Sequence, residues 1–304
     1  MWAALAAGCL AAGAGCLLRS EYEKNHFVVE EIRIASPKIR QEKKLLFLTD
    51  VHDKEFGPSN ERLLGAAGKL SPDGILIGGD LMVSKGRGSL DASFRLMKGL
   101  SEIGPVYYSL GNHEMRLREE RQVYGEQFQR LLEKARQLGI HMLIDEKASL
   151  DEDTDVWGVD LPQSCYKKLF LEKPVKMPEG YLQRKLGNTD PGRFQILLMH
   201  SPLYFAEARQ WGADLTLSGH FHGGTIRIPG VGGLMTPQYQ FFLPWCAGTF
   251  VEGRQAMAVG RGLGTHSINI RLNDLPQLLC VRLLPGEQFS VKSGKRRGDR
   301  KSVV

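Results

Sequence analysis

The chain is 304 residues long, 42% hydrophobic and 24% charged, with 40 Lys+Arg against 34 Asp+Glu. That is ample apolar chain for a core, and charge content this ordinary excludes a wholly disordered polypeptide. The net charge of +6 does not point to nucleic acid, because +5 of it falls in residues 292–304, where Lys292, Lys295, Arg296, Arg297, Arg300 and Lys301 face only Asp299.

At the N-terminus, Trp2 to Leu18 carries no charged side chain and is mostly Ala, Leu and Gly. A spanning helix needs about 17–25 such residues, so a single N-terminal membrane anchor over 1–18 is expected. Arg19, Lys24, Arg33, Lys38 and Arg40 follow it and favour a cytoplasmic body, without fixing the side of the membrane. A juxtamembrane segment with a first strand is expected over 19–43, one large domain over 44–291 and a disordered basic tail over 292–304. The five cysteines make no CxxC pair, so neither a thiolate zinc site nor a disulfide framework is expected.

Further along, short apolar runs end in residues able to bind metal. Residues 44–49 lead to Asp50, 74–79 to Asp80, 106–111 to Asn112 and His113, 194–199 to His200, and 215–219 to His220. Such runs read as strands buried on both faces. Between them lie helical stretches at 62–70, at 203–211 behind Ser201-Pro202, and at 119–138, the longest, which Gly139 stops. Later segments such as 155–159 and 277–284 read as strands outside the regular strand–helix alternation, so a mixed two-sheet sandwich covers the whole better than one parallel sheet.

The strand-end motifs are Asp50-Val51-His52, Gly79-Asp80, Gly111-Asn112-His113-Glu114, His200 and Gly219-His220-Phe221-His222-Gly223. Imidazole, carboxylate and amide oxygen without thiolate suit divalent ions such as Mn, Fe, Co or Zn. On an extended segment, Asp50 and His52 would point to one side, as would His220 and His222. Taken singly each motif has an ordinary structural reading, but five in this order, each after an apolar strand, do not.

This series resembles the signature of the calcineurin-like metallophosphoesterase superfamily over about Leu45 to Leu284. It is most similar to a bacterial membrane-associated branch, through the N-terminal run, residues 50–57 and Arg261-Gly262-Leu263-Gly264-Thr265. The resemblance implies an α/β, four-layered αββα sandwich of two mixed sheets flanked by helices. It implies one metal held by Asp50, His52, Asp80 and His222 and a second held by Asp80, Asn112, His200 and His220, with Asp80 bridging.

Two cations about 3.5–4 Å apart neutralise phosphate oxygens and generate hydroxide at neutral pH, which would attack phosphorus in line. His113, beside Asn112, is placed to assist the leaving group, and Glu114 to orient His113 or to pair with Arg116 or Arg118. Arg261 and His266 are weaker candidates for substrate contacts. Residues 223–250, with Tyr239, Phe241, Phe242 and Trp245, offer an apolar rim for a lipid or aromatic leaving group, unless they simply pack on one another. The expected function is a dinuclear phosphohydrolase acting on a phosphorylated small molecule or lipid-linked substrate. The alternatives are a non-catalytic metal-binding scaffold of the same fold and a pyrophosphatase for a nucleotide-linked lipid precursor.

Overall fold

The computed structural model describes residues 1–304 apart from Arg87, Leu171, His266, Ser267 and 294–304, and for Ala3 and Ala4 the backbone alone. His266 and most of the expected basic tail therefore lie outside the described residues. The chain opens with α1 (Trp2–Lys24), then β1 (Val28–Ser36), β2 (Lys43–Leu48), α2 (Glu61–Leu70), β3 (Gly74–Ile77), α3 (Asp91–Ser101) and β4 (Val106–Ser109). Helices α4 (Asn112–Glu119), α5 (Arg121–Tyr124) and α6 (Gln127–Gln137) follow, with β5 (His141–Leu143), β6 (Glu146–Ser149), β7 (Thr154–Val159), α7 (Tyr181–Leu186) and β8 (Phe194–Met199). The last stretch holds α8 (Phe205–Trp211), β9 (Leu215–Ser218), β10 (Arg227–Ile228), β11 (Gly232–Gly233), β12 (Gly248–Glu252), β13 (Gln255–Val259), β14 (Gln277–Pro285) and β15 (Ser290–Ser293).

Two large mixed sheets result. One runs β15-β1-β14-β2-β3-β4-β5, the other β12-β13-β9-β8-β7-β6. Residue alternation along β2 explains the layering. Leu45 and Phe47 face the second sheet, packing with Phe194, Ile196, Leu198 and Leu217, whereas Leu46 and Leu48 face outward to Leu63, Leu96 and Leu131 of α2, α3 and α6. On the far side, Trp157, Val159, Leu197 and Met199 pack against Leu182, Leu186, Ala208 and Trp211 of α7 and α8. Helices, sheet, sheet, helices: the four expected layers are present.

The sheets are also joined by charge. Lys43 at the start of β2 is buried against Asp153, in the turn before β7, at 2.5 Å, with Asp151 at 3.1 Å. The long helix expected over 119–138 is instead broken. Gly125 adopts φ +64°, ending α5 before α6 begins.

Helix α1 behaves differently at its two ends. Trp2, Leu5, Leu10, Leu17 and Leu18 are exposed, while Ser20 and Glu23 are buried against the body. Among the described residues no helix is long and apolar enough to cross a membrane, so the expected spanning anchor finds no support there.

Candidate metal centre

The parallel strands β2, β3, β4, β8 and β9 all deliver polar residues just beyond their C-terminal ends. The two sheets face each other, so these ends meet. Asp50, His52 and His222 form one buried group of donor atoms, all within 4.8 Å of one another, and Asp80, His200 and His220 form another. His52, Asp80 and His113 overlap both. Asp80 Oδ2 stands 3.2 Å from His200 Nε2 and 3.8 Å from His52 Nε2, and Asp50 Oδ1 stands 3.5 Å from His222 Nε2. His52 Nε2 and His222 Nε2 approach to 3.1 Å.

The convergence has a different cause from the one expected. Asp50, His52, Asp80, His220 and His222 all have positive φ, between 48° and 66°, so these segments are tight left-handed turns rather than extended strands. Side chains meet because the chain curls at each strand end. Non-glycine residues in this region cost on the order of 1–3 kcal/mol each, and such strain gathers at functional sites.

Neighbouring groups hold the turns. His220 N–H donates to both carboxylate oxygens of Asp50 at 3.0 Å, and Thr49 Oγ1 donates to Asp50 Oδ2 at 2.9 Å. Asp80 Oδ1 accepts His113 N–H at 2.8 Å. Glu114 does not hold the His113 ring and makes no ion pair with Arg116 or Arg118. Its buried carboxylate accepts from the N–H groups of Asp80, Leu81 and Gly111 and from Tyr108 Oη, at 2.6–2.9 Å. Arg116 pairs with Glu120, and Arg118 with Asp160. Glu114 thus ties the β3 end to the start of α4.

Hydrogen bonds also fix which ring nitrogens carry protons. His200 Nδ1 lies 2.7 Å from the Gly78 carbonyl and His222 Nδ1 lies 3.2 Å from the Gly264 carbonyl. A carbonyl only accepts, so each Nδ1 donates and each ring turns its Nε2 to the site. His113 is the reverse. Ser84 N–H donates to its Nδ1 at 2.8 Å, with Ser84 Oγ 2.7 Å from the same atom, so its proton sits on Nε2. Nε2 faces Asp80 Oδ2 at 4.0 Å.

Electrostatics show what the cluster accommodates. Burial raises Asp50 to about 7, while burial of Asp80 is outweighed by His200 and His113, which hold it well below the usual carboxylate range. Burial pushes His200 down, yet Asp80 and Asp50 carry it to about 10. Burial, then the positive charge at His200, drives His220 to about 3. The buried carboxylates thus hold positive charge beside them at His200, while His220 stays neutral. Asn112 Oδ1, His200 Nε2 and His220 Nε2 are buried without a hydrogen-bond partner. This donor set fits divalent cations.

The model of the family described as calcineurin-like phosphoesterase matches residues 43–224. The chain belongs to that family. It is a metal-dependent phosphoesterase, a hydrolase of phosphate esters, and the reading as a non-catalytic scaffold falls away. Among its relatives, the phosphodiesterase YaeI of Escherichia coli K12 is 27% identical over 254 residues, 79% of this chain and 82% of the relative. The metallophosphoesterase YkoQ of Bacillus subtilis 168 is 24% identical over 245 residues, 79% of this chain and 83% of that one. A further B. subtilis metallophosphoesterase, YkuE, is 33% identical over 90 residues, 30% of this chain and 31% of that relative.

Other residues fall outside what the sequence indicated. Arg261 is not offered to the phosphoesterase site, because both carboxylate oxygens of Glu30 take its guanidinium at 3.1 Å and the Leu275 carbonyl takes Nε. Ser84 and Tyr166 carry no motif, yet Tyr166 packs its ring 5.1 Å from His220 and 5.9 Å from His200. Phe241, Phe242 and Trp245 are exposed. Tyr239 lines a cleft with His222, Thr225, Met235, Ile270 and Arg271.

Proposed function

We propose that this phosphoesterase uses two divalent ions to hydrolyse a phosphodiester. One ion would be held by Asp50, His52, Asp80 and His222, the other by Asp80, Asn112, His200 and His220. The observation that carries this reading is the position of the Asp80 carboxylate, whose Oδ2 lies within 4 Å of His52 on one side and His200 on the other. When bound, such ions neutralise phosphate charge and make a water acidic enough to attack near neutral pH. The chain supplies the rest. His113, with Nδ1 occupied by Ser84, turns its Nε2–H toward the cluster and would donate a hydrogen bond to the departing oxygen, which takes its proton from water. Glu114 and Asp80 together keep α4, and so His113, in register with the β3 end.

The likeness to the phosphodiesterase YaeI over most of this chain supports a diester substrate. A pyrophosphate bond in a nucleotide-linked lipid is the second reading. The cleft beside His222, with Met235, Ile268 and Ile270 on its walls, favours an apolar leaving group. The exposed Trp2, Leu5, Leu10, Leu17 and Leu18 of α1 support lipid association of the whole protein.

Elemental analysis after Mn²⁺ loading, with hydrolysis of an aryl phosphodiester and an aryl phosphomonoester, tests the reading. About two ions per chain with faster diester turnover is expected. One ion per chain, or a preference for the monoester, rejects it. Preferential cleavage of a nucleotide-diphosphate lipid over both aryl esters selects the second reading. Sedimentation with vesicles of full-length protein tests the lipid association, and protein wholly in the supernatant counts against it.

A further inference from the structure

We propose that Arg271 is a positioning residue for the metal centre and that the last turn of α1 holds it in place. The N-terminal helix would then brace the site as well as present an apolar surface. This inference rests on the dinuclear reading above.

Arg271 is 1% exposed, among the most deeply buried charged side chains of the body. Its Nη2 donates to the carbonyls of Gly264 at 2.6 Å, Arg261 at 2.9 Å and Gly262 at 3.3 Å. Nη1 donates to the Asp274 carbonyl at 3.1 Å and to its carboxylate at 3.3 Å. The segment it grips is the wall behind the donor turns. The Gly264 carbonyl is the acceptor for His222 Nδ1, and Gly264 N–H donates to the Asp50 carbonyl at 2.7 Å. A single guanidinium therefore sets the height of the wall on which both His222 and the Asp50–His52 turn rest. A planar fork can serve several carbonyls at once, which an ammonium cannot.

Arg271 and Asp274 are in turn fastened from α1. Ser20 Oγ accepts Arg271 N–H at 3.0 Å, and Glu23 Oε2 accepts Asp274 N–H at 2.8 Å. Arg19 pairs with the other Glu23 oxygen at 2.7 Å. Glu23 has no exposure at all. Burying a carboxylate is costly unless it is paired and hydrogen-bonded, as Glu23 is by Arg19 and Asp274, and a flexible tether would leave Glu23 in water. The route from α1 to the metal centre is continuous: Glu23 to Asp274, Asp274 to Arg271, Arg271 to Gly264, Gly264 to His222.

The test is calorimetric titration of Mn²⁺ into the chelator-stripped full-length protein and its Arg271→Met, Arg271→Lys and Glu23→Ala variants. Wild type should show two binding events. Arg271→Met and Glu23→Ala should each weaken one event about 10- to 100-fold and spare the other, since groups that orient metal ligands have effects of that size. Arg271→Lys should recover part of the loss. Affinities within twofold of wild type in folded Arg271→Met overturn the proposal. So does equal weakening of both events, which would mark Arg271 as a support of the fold alone. Should Arg271→Met fail to fold, Glu23→Ala, which keeps the guanidinium, decides by the same criteria. A wild type that takes up no Mn²⁺ rejects the dinuclear reading and this inference together.

Discussion

His113 and the residues around it show how one proton assignment shapes a mechanism. The Ser84 backbone N–H, not its hydroxyl, compels Nδ1 to accept, so removing the hydroxyl should matter little. Ser84→Ala should keep turnover within a few-fold, while His113→Ala should lose about 10²–10⁴-fold on a poorly activated diester, with metal content unchanged. Steady-state kinetics beside elemental analysis checks both, and unaltered His113→Ala kinetics would refute the donor role. Gly264 is as exacting a position. A Cβ there would lie 2.0 Å from the Val51 carbonyl oxygen, which is backbone and cannot swing aside. Gly264→Ala should cost about 1–3 kcal/mol by overpacking, read by urea denaturation, and loosen metal binding with it. Unfolding midpoints that coincide would show that the turn yields freely. The residues bearing the chemistry were legible in the sequence because a strand buried on both faces leaves polar groups only at its end. Ser84, Arg271 and Glu23 were not, since each acts through backbone atoms of distant segments, and no spacing rule records such a contact.

At the scale of elements, apolar periodicity located β2, β3, β4, β8 and β9 well but misjudged two stretches. Residues 119–138 carry an apolar stripe throughout, yet Gly125 takes a left-handed conformation and divides it, letting α6 turn onto the first sheet. The Asp-x-His and His-x-His segments read as extended because alternation is the simplest geometry that brings two side chains together. Left-handed turns do so as well, and tertiary bonds such as those from Asp50 to His220 select them. Between the sheets, Lys43 and Asp153 form a buried pair, 5% and 6% exposed at the side chain. Removing one partner of such a pair strands the other, so Lys43→Ala should cost about 3–5 kcal/mol. Replacing both by apolar residues should recover much of it. Denaturant titration of the single and double variants checks this, and a single variant as stable as wild type would contradict it.

For the molecule as a whole, the metal centre lies where the two sheets converge. Donors from β2, β3 and β4 on one sheet face donors from β8 and β9 on the other, so bound cations tie the sheets together at that end. Ligand binding to the native state alone stabilises by about 2.7 kcal/mol for each site held at a hundredfold its Kd. Chelator should therefore lower the melting temperature, and added Mn²⁺ should restore it in a concentration-dependent way. A melting temperature indifferent to chelator would mean that the sheets are locked without metal. The layered architecture could be read from the order of strands and helices, but the pairing of β1 with β14 could not, because it joins segments some 250 residues apart.

That pairing has a consequence for how the protein is made. In the first sheet, β14 lies between β1 and β2, parallel to one and antiparallel to the other. During synthesis β1 and β2 leave the ribosome more than 200 residues before the strand that separates them. Until residues 277–285 emerge, the nascent chain carries two apolar strands with open edges and no native neighbour between them. The second sheet, built wholly from residues 146–259, can close beforehand. The first sheet is thus completed only after the second has been synthesised, and until then its free edges are exposed to whatever else in the cell pairs with strands.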